Sequence, residues 1–195
     1  MKINILLFNK FETLDAFGPA EIFGKVQEFE LDYFSVEGGI ITSSQNVSVV
    51  TKTLTESKED CVWLIPGGEG TRSLVHDEDF LFKLKQLAKK SKFCLSVCTG
   101  SALLAKCGML DGIRATSNKR AFDWVKTASQ KTIWVEKARW VVCGKFYTSS
   151  GVSAGMDMAL GFVSDILGKD KANEIAKRIE YVWNDNPEKD EFSAI

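Results

Sequence analysis

Short apolar runs alternate with amphipathic helical segments along most of this chain, and this alternation is the feature that most narrows its fold. Runs such as Ile3–Phe8 and Cys61–Ile65 hold few polar residues, which is typical of strands buried on both faces of a parallel sheet. A helical pattern follows each run, and no internal repeat is visible. Strands that alternate with helices predict an α/β fold: a three-layer α/β/α sandwich around a mostly parallel, doubly wound sheet.

The length of 195 residues suits one sizeable domain. We place this domain at residues 1–183, since the last helical pattern reaches about Trp183, and we expect residues 184–195 to form a charged, loosely attached tail. The other predicted elements are a strand at Glu30–Glu37, a hairpin or short meander from there to Val50, short strands at Ile113–Thr116 and Ile133–Val135, a helix at Lys119–Ala128, a hairpin at Ala138–Ser149 and a long helix opened by Gly151–Gly155.

Composition excludes several classes of function. Lysine and arginine number 25 against 26 acidic residues, so the net charge is −1 and no basic face indicates a nucleic-acid partner. The apolar N-terminal run is too short for a signal peptide and no stretch reaches the length of a membrane span, so we expect a soluble, cytoplasmic protein with no membrane partner. Five cysteines without a C-x-x-C pair and one histidine predict no metal site, and we expect no cofactor.

The strand that begins at Phe93 stops at Cys98, where a helix of small residues starts at once. Such a turn strains the backbone of its central residue and projects that side chain from the edge of the sheet. Ser96 and Gly100, two residues to either side, fit the small-x-nucleophile-x-small spacing of a nucleophile elbow. The helix N-terminus is expected to favour a thiolate, which makes Cys98 the candidate nucleophile; the alternative is a buried, unreactive cysteine.

A cysteine nucleophile normally works with a base, and the single histidine, His76, stands in a polar junction that predicts an ordinary surface residue. Asp15 follows the first strand, so it belongs to the same edge of the sheet as Cys98. An aspartate there is equally typical of a helix cap, and Glu12 and Glu21 are competing carboxylates. The residues alone leave these alternatives open.

A glycine loop, Pro66–Gly70, ends the strand at Ile65. Its Gly67-Gly68 pair and the amides of Cys98 and Thr99 can donate hydrogen bonds to negative charge that develops in a reaction. The alternative is a tight turn without a chemical role.

Five stretches of the chain, in their order, resemble the DJ-1/PfpI superfamily, also called ThiJ/PfpI. The resemblance covers nearly the whole chain and implies a flavodoxin-like fold of the class I glutamine amidotransferase type. It is carried by Thr13–Glu21 (TLDAFGPAE), Ile65–Gly68 (IPGG), Ser96–Ser101 (SVCTGS), Asp111–Thr116 (DGIRAT) and Ser150–Asp157 (SGVSAGMD).

Within this superfamily, the Leu-Asp-x-x-Gly-Pro segment and the Ser-Val-Cys-Thr-Gly elbow look most like isocyanide hydratases and the related ligand-binding domains fused to AraC-type regulators. By position, the resemblance implies Cys98 as the nucleophile and Asp15 as its partner carboxylate. It also implies hydrogen-bond donors in the amides of Gly68 and Thr99, with Val152 lining the pocket across from the thiol. A small-molecule substrate and a homodimer follow from the same resemblance.

Many members carry a histidine directly after the cysteine or in an Ala-Thr-Thr-His segment, where this chain has Thr99 and Asn118. A Cys-His protease or amidase is therefore disfavoured. The hypothesis that follows is hydration of an isocyanide to an N-substituted formamide, with attack by Cys98 and proton transfer by Asp15. The alternatives are a redox-sensing or protective protein in which Cys98 oxidises reversibly, and a stand-alone ligand-binding module. A glyoxalase or deglycase, which would use a histidine, ranks below these.

Overall fold

The computed structural model describes residues 1–194. Its strands are β1 (Lys2–Leu6), β2 (Glu30–Ser35), β3 (Glu37–Thr42), β4 (Ser48–Thr53), β5 (Val62–Ile65), β6 (Phe93–Ser96), β7 (Arg114–Ala115), β8 (Ile133–Trp134), β9 (Trp140–Cys143) and β10 (Phe146–Ser149). Eight of them form the central sheet in the order β3-β4-β2-β1-β5-β6-β10-β9, while β7 and β8 form a separate parallel pair.

The central sheet is mostly parallel, as the buried apolar runs predict. The five inner pairs, from β4-β2 through to β6-β10, run parallel, and the two outermost pairs, β3-β4 and β9-β10, are antiparallel. All residues of β5 are buried, and so are nearly all residues of β1 and β6. This burial requires helices on both faces of the sheet, because a strand open to water on one side would alternate apolar and polar residues.

Helices cover the sheet in two groups and complete the three layers, so the predicted α/β class is confirmed. They are α1 (Thr13–Phe23), α2 (Thr71–Leu74), α3 (Glu78–Lys90), α4 (Gly100–Lys106), α5 (Phe122–Lys126), α6 (Ala154–Leu167) and α7 (Lys169–Arg178), with 3-10 turns at Leu54–Glu56 and Glu191–Ala194. In one group α6 packs against α1 and α7; in the other, α4 packs against α2 and α3. Within residues 1–194, no helix combines the length and the apolarity needed to cross a membrane.

The loop between β7 and α5 differs from the prediction. The helix expected at Lys119–Ala128 is shorter and covers Phe122–Lys126. Before it, the side-chain Oδ1 of Asn118 accepts a hydrogen bond from the amide of Ala121 at 3.0 Å, which keeps the preceding residues in a turn. This turn places Asn118 beside the elbow.

The C-terminal segment corrects two further expectations. The last helix ends at Arg178 and does not reach Trp183. The segment beyond it is charged but not loose: the Pro187 carbonyl accepts hydrogen bonds from the amides of Arg139 and Trp140 at 2.8 and 3.2 Å. Asp190 is 2% exposed. The division into a domain at 1–183 and a tail at 184–195 stays a prediction.

Candidate active site

The elbow at Cys98 has the strained geometry that its sequence setting predicts. Cys98 has a φ of 57°, in the left-handed region, between the end of β6 and the start of α4. This conformation costs of order 1–3 kcal/mol for a residue other than glycine and persists only where neighbours hold it. Its amide donates to the Ser150 carbonyl at 3.0 Å, and its own carbonyl accepts from the hydroxyls of Ser117 and Ser101 at 2.7 and 3.2 Å.

The carboxyl group of Asp15 is buried next to this elbow and does not cap a helix. The N-cap of α1 is Glu12, and Asp15 lies in the first turn with 0% exposure. Its Oδ2 accepts a hydrogen bond from the amide of Gly67 at 2.9 Å, whereas Oδ1 has no hydrogen-bond partner among residues 1–194. The helix-cap alternative is therefore wrong, and one oxygen of Asp15 is left for another group.

A glycine is required at position 67 to bring this carboxyl group to the loop. A Cβ at Gly67 would lie 2.5 Å from the Thr99 amide nitrogen and 2.9 Å from Asp15 Oδ2. Gaps of this size leave no room for a methyl group, so the glycine has a steric role in the site. The loop is more than a tight turn, because its backbone directly contacts two of the candidate site residues.

The Cys98 thiol and the Asp15 carboxyl group change each other's proton affinity. Burial raises the pKa of Asp15 to about 7, with a further increase from the negative charge of Glu12, while the Gly67 amide and the thiol of Cys98 act in the opposite direction. Burial also raises the pKa of Cys98, and the charge of Asp15 adds to that rise. Each group therefore holds its proton more tightly than it would in water.

Burial opposes the thiolate that the helix N-terminus is expected to favour. The amides of Thr99 and Val152 and the side chain of Asn118 lower the pKa of Cys98, as hydrogen-bond donors do, but burial has the larger effect. The helix that begins after Thr99 is only seven residues long. The raised pKa of Cys98 favours the neutral thiol, so reaction at the sulfur calls for a base that removes its proton.

Val152 approaches the sulfur through an unusual backbone conformation. Its φ is 40°, which is a strained value for a β-branched residue. This conformation accompanies the approach of the Val152 amide, which is among the hydrogen bonds that lower the pKa of Cys98. Two strained residues, Cys98 and Val152, thus face each other across the site.

The amide of Gly68 is used differently from what the resemblance implies. It donates to the side-chain Oγ1 of Thr99 at 3.1 Å, and the hydroxyl of Thr71 lies 3.0 Å from the same oxygen. These contacts fix Thr99, whose own amide points to the sulfur. Gly68 therefore acts on the thiol through Thr99 in this structure.

Asn118 is the site residue that sequence reasoning used only as a departure from the histidine pattern. Its Oδ1 is occupied by the Ala121 amide, so the amide nitrogen is the part of the side chain that faces Cys98. A polar Thr-Ser-Asn run directly after a short strand is the signal that could have found it. Asn118 and Val152 also line a pocket of about 250 Å³ whose other lining residues are Lys119, Arg120, Ser150, Gly151, Ser153 and Phe192.

The competing acid and base candidates lie elsewhere. His76 is exposed after α2, as predicted for a surface histidine. Glu21 is exposed and forms an ion pair with Lys25 at 2.6 Å. Glu12 is half-buried and its Oε1 accepts a hydrogen bond from Gln45, so it influences Asp15 only through its charge.

A strained cysteine at the edge of a parallel sheet, paired with a buried carboxyl group, defines a class of cysteine-centred α/β proteins. The DJ-1/PfpI family model matches residues 1–165, and the chain belongs to this family.

Known proteins similar to this chain differ in their functions. An isonitrile hydratase from Pseudomonas putida is 30% identical over 185 residues, which cover 93% of this chain and 78% of that protein. The HTH-type transcriptional regulator CdhR from Pseudomonas aeruginosa is 25% identical over 89% of this chain and 53% of the regulator. The crystal structure of a ThiJ/PfpI family protein from Pseudomonas syringae superposes with a TM-score of 0.81 at 27% identity, over 92% of this chain and 74% of that one.

Proposed function

We propose that this protein adds water to an isocyanide, an isonitrile in the older name, and releases an N-substituted formamide. The observation that carries the proposal is the buried carboxyl group of Asp15, with a pKa of about 7 and one unpartnered oxygen, facing a neutral thiol. A group with this pKa can both accept and return a proton near neutral pH. The similarity to an isonitrile hydratase supports the same reaction.

In the first step, Asp15 moves the thiol proton to the substrate. The carboxylate accepts the proton from Cys98 as the sulfur forms a bond to the terminal carbon of the isocyanide, and it then delivers that proton to the same carbon. The S–H bond is replaced by C–S and C–H bonds, and the product is a thioimidate on Cys98. The amides of Thr99 and Val152 and the Asn118 side chain stabilise the negative charge that develops on sulfur.

In the second step, water attacks the thioimidate carbon while Asp15 accepts one of its protons. The C–S bond then breaks, the sulfur recovers a proton and the substrate nitrogen gains the other. The sum is one isocyanide and one water converted into one formamide, with the thiol and the carboxyl group restored.

The raised pKa of Cys98 weighs against the redox-sensor alternative. Peroxide reacts with thiolates, and a buried thiol with a raised pKa holds little thiolate at neutral pH. Similarity to transcriptional regulators keeps the ligand-binding module open, and that alternative predicts binding without turnover.

The test is formamide production from p-nitrophenyl isocyanide. We expect product from the wild type and from Cys143→Ala, which removes a half-buried thiol on the hairpin away from the site. Cys98→Ala and Asp15→Asn are expected to fall at least about a hundredfold, because each removes a group that takes part in the bond changes. A wild type no faster than Cys98→Ala would overturn the proposal.

A further inference from the structure

We infer that Phe192 is a specificity-determining residue of this site and selects substrates with a flat, apolar substituent on the reacting carbon–nitrogen group. This inference rests on the proposed function for the identity of that group. The sequence gives no indication of such a role, because Phe192 lies in the charged C-terminal segment.

The ring of Phe192 lines a pocket that also holds Asn118 and Val152, two residues that donate hydrogen bonds to the Cys98 sulfur. Among the described residues that line this pocket of about 250 Å³, it is the one aromatic side chain, and Val152 is the other large apolar one. Asn118, whose amide group faces Cys98, lines the same pocket as the ring. A substrate whose reactive end meets the sulfur therefore has its substituent near the Phe192 ring.

Phe192 is exposed, yet the segment that carries it is held in place. Its amide donates to Asp190 Oδ1 at 3.0 Å, and the Asp190 amide donates to the Lys137 carbonyl at 2.8 Å. Asp190 itself is buried, with Oδ1 3.8 Å from a guanidinium nitrogen of Arg139. The ring is thus presented by a buried anchor two residues before it, although 54% of its surface faces solvent.

The same anchor connects to the elbow. The Arg139 carbonyl accepts from the Ser150 amide at 2.8 Å, and the Ser150 carbonyl accepts from the Cys98 amide at 3.0 Å. The ring and the sulfur are therefore connected through backbone hydrogen bonds and the ion pair between Asp190 and Arg139. Asp190 is a positioning residue in this arrangement.

An exposed ring beside a small pocket favours planar aromatic groups. A phenyl substituent can stack on Phe192 and remove apolar surface from water, whereas a methyl substituent is too small to reach it. We therefore expect a preference for aryl over small alkyl isocyanides.

The first experiment compares Phe192→Ala with Phe82→Ala, which removes a phenylalanine of similar exposure on α3, outside the pocket. For phenyl isocyanide, we expect KM to rise about tenfold in Phe192→Ala with kcat changed less than about twofold, because the lost contact is made equally in the bound and transition states. Methyl isocyanide should show no such rise, Phe82→Ala should match the wild type, and Asp190→Ala, which removes the acceptor of the Phe192 amide, should reproduce Phe192→Ala. Equal changes for both substrates in Phe192→Ala would overturn the inference.

A second experiment does not depend on hydration. Iodoacetamide and its N-phenyl derivative alkylate Cys98 by forming a C–S bond, with iodide as the leaving group and the thiol proton released to buffer. Peptide mass spectrometry then gives the rate of alkylation of Cys98 by the N-phenyl derivative divided by its rate with iodoacetamide. We expect this ratio to fall about fivefold or more in Phe192→Ala and to stay unchanged in Phe82→Ala. A fall in the ratio without any formamide would support the role of Phe192 and refute the hydratase proposal; an unchanged ratio would refute the role of Phe192.

Discussion

At the scale of single residues, the site depends on a competition between burial and hydrogen bonding at Cys98. Two backbone amides and one side-chain amide stabilise the thiolate, yet the pKa of Cys98 lies above its usual value because the sulfur is almost fully buried. Desolvation therefore has the larger effect. The reaction must couple attack to proton removal, and Asp15 is the group placed to do so.

The pH dependence of activity follows from the pKa of Asp15. Only the carboxylate form can accept the thiol proton, so kcat/KM for isocyanide hydration is expected to rise as pH passes through about 7. In Glu12→Gln the inflection should move to lower pH, because the charge of Glu12 contributes to the raised pKa of Asp15. The measurement is a pH–rate profile of both proteins. A profile that stays flat from pH 5 to about 9 would contradict this assignment.

The free energy of unfolding should also depend on the protonation of Asp15. Between the ordinary pKa of 3.8 and about 7, the folded protein keeps a proton on Asp15 that the unfolded chain has released. The free energy of unfolding is then expected to fall as pH rises through this window, and each unit of pKa difference corresponds to about 1.4 kcal/mol. Urea titrations of the wild type and Asp15→Asn at several pH values test this. Asp15→Asn should lose less stability than the wild type as pH rises. An equal dependence of stability on pH in the two proteins would argue against a buried, protonated Asp15.

At the scale of elements, a buried ion pair joins α6 to Arg139, the residue before β9. The Nε of Arg139 donates to Asp157 Oδ2 at 2.6 Å, and both side chains are buried. The other oxygen of Asp157 accepts from the Tyr181 hydroxyl and the Asn184 amide, each at 3.0 Å. One carboxylate thus connects α6, the edge of the sheet and the beginning of the C-terminal segment.

Removal of this carboxylate is expected to be costly. Asp157→Ala should lower the free energy of unfolding by about 3–5 kcal/mol, because it removes the nearer of the two buried counter-charges of Arg139 and leaves only Asp190, at 3.8 Å. The matched control is Asp185→Ala, which breaks an exposed ion pair with Lys169 and should cost at most about 1 kcal/mol. Chemical denaturation of both variants measures the difference. Similar losses of stability in the two variants would mean that the buried Arg139 pair stabilises the fold no more than an exposed ion pair does.

At the scale of the whole molecule, the resemblance to the family predicts a homodimer. Light scattering after size exclusion is expected to give about twice the monomer mass of 21.7 kDa. The same measurement on Cys98→Ala serves as the control, since loss of a thiol that is 7% exposed should not change the assembly. A monomer mass at micromolar concentration would contradict this prediction.

The central architecture and the elbow could be predicted because their signals are local. Buried runs such as Cys61–Ile65 and the spacing around Cys98 reflect what neighbouring residues do to one another. The position of Asp15 after the first strand placed it at the same edge of the sheet as Cys98, but only the resemblance to the family favoured it over a helix cap. The direction of the Cys98 pKa was not predictable, because it depends on how completely distant parts of the chain exclude water from the sulfur.

The roles of Asn118, Asp190 and Phe192 were hidden for a related reason. A turn holds the side chain of Asn118 near the sulfur, and Asp190 is buried beside Arg139, which lies about fifty positions earlier in the chain. A charged composition correctly describes residues 184–194 but says nothing about such long-range contacts.

The docked C-terminal segment has a practical consequence for the design of experiments. A purification handle, fluorescent protein or immobilisation linker fused directly behind Phe192 would lie beside the candidate pocket. It would crowd the mouth of that pocket and pull on the Asp190 anchor. Handles attached at the opposite terminus avoid both effects, so measured selectivities should be compared only between proteins tagged in the same way.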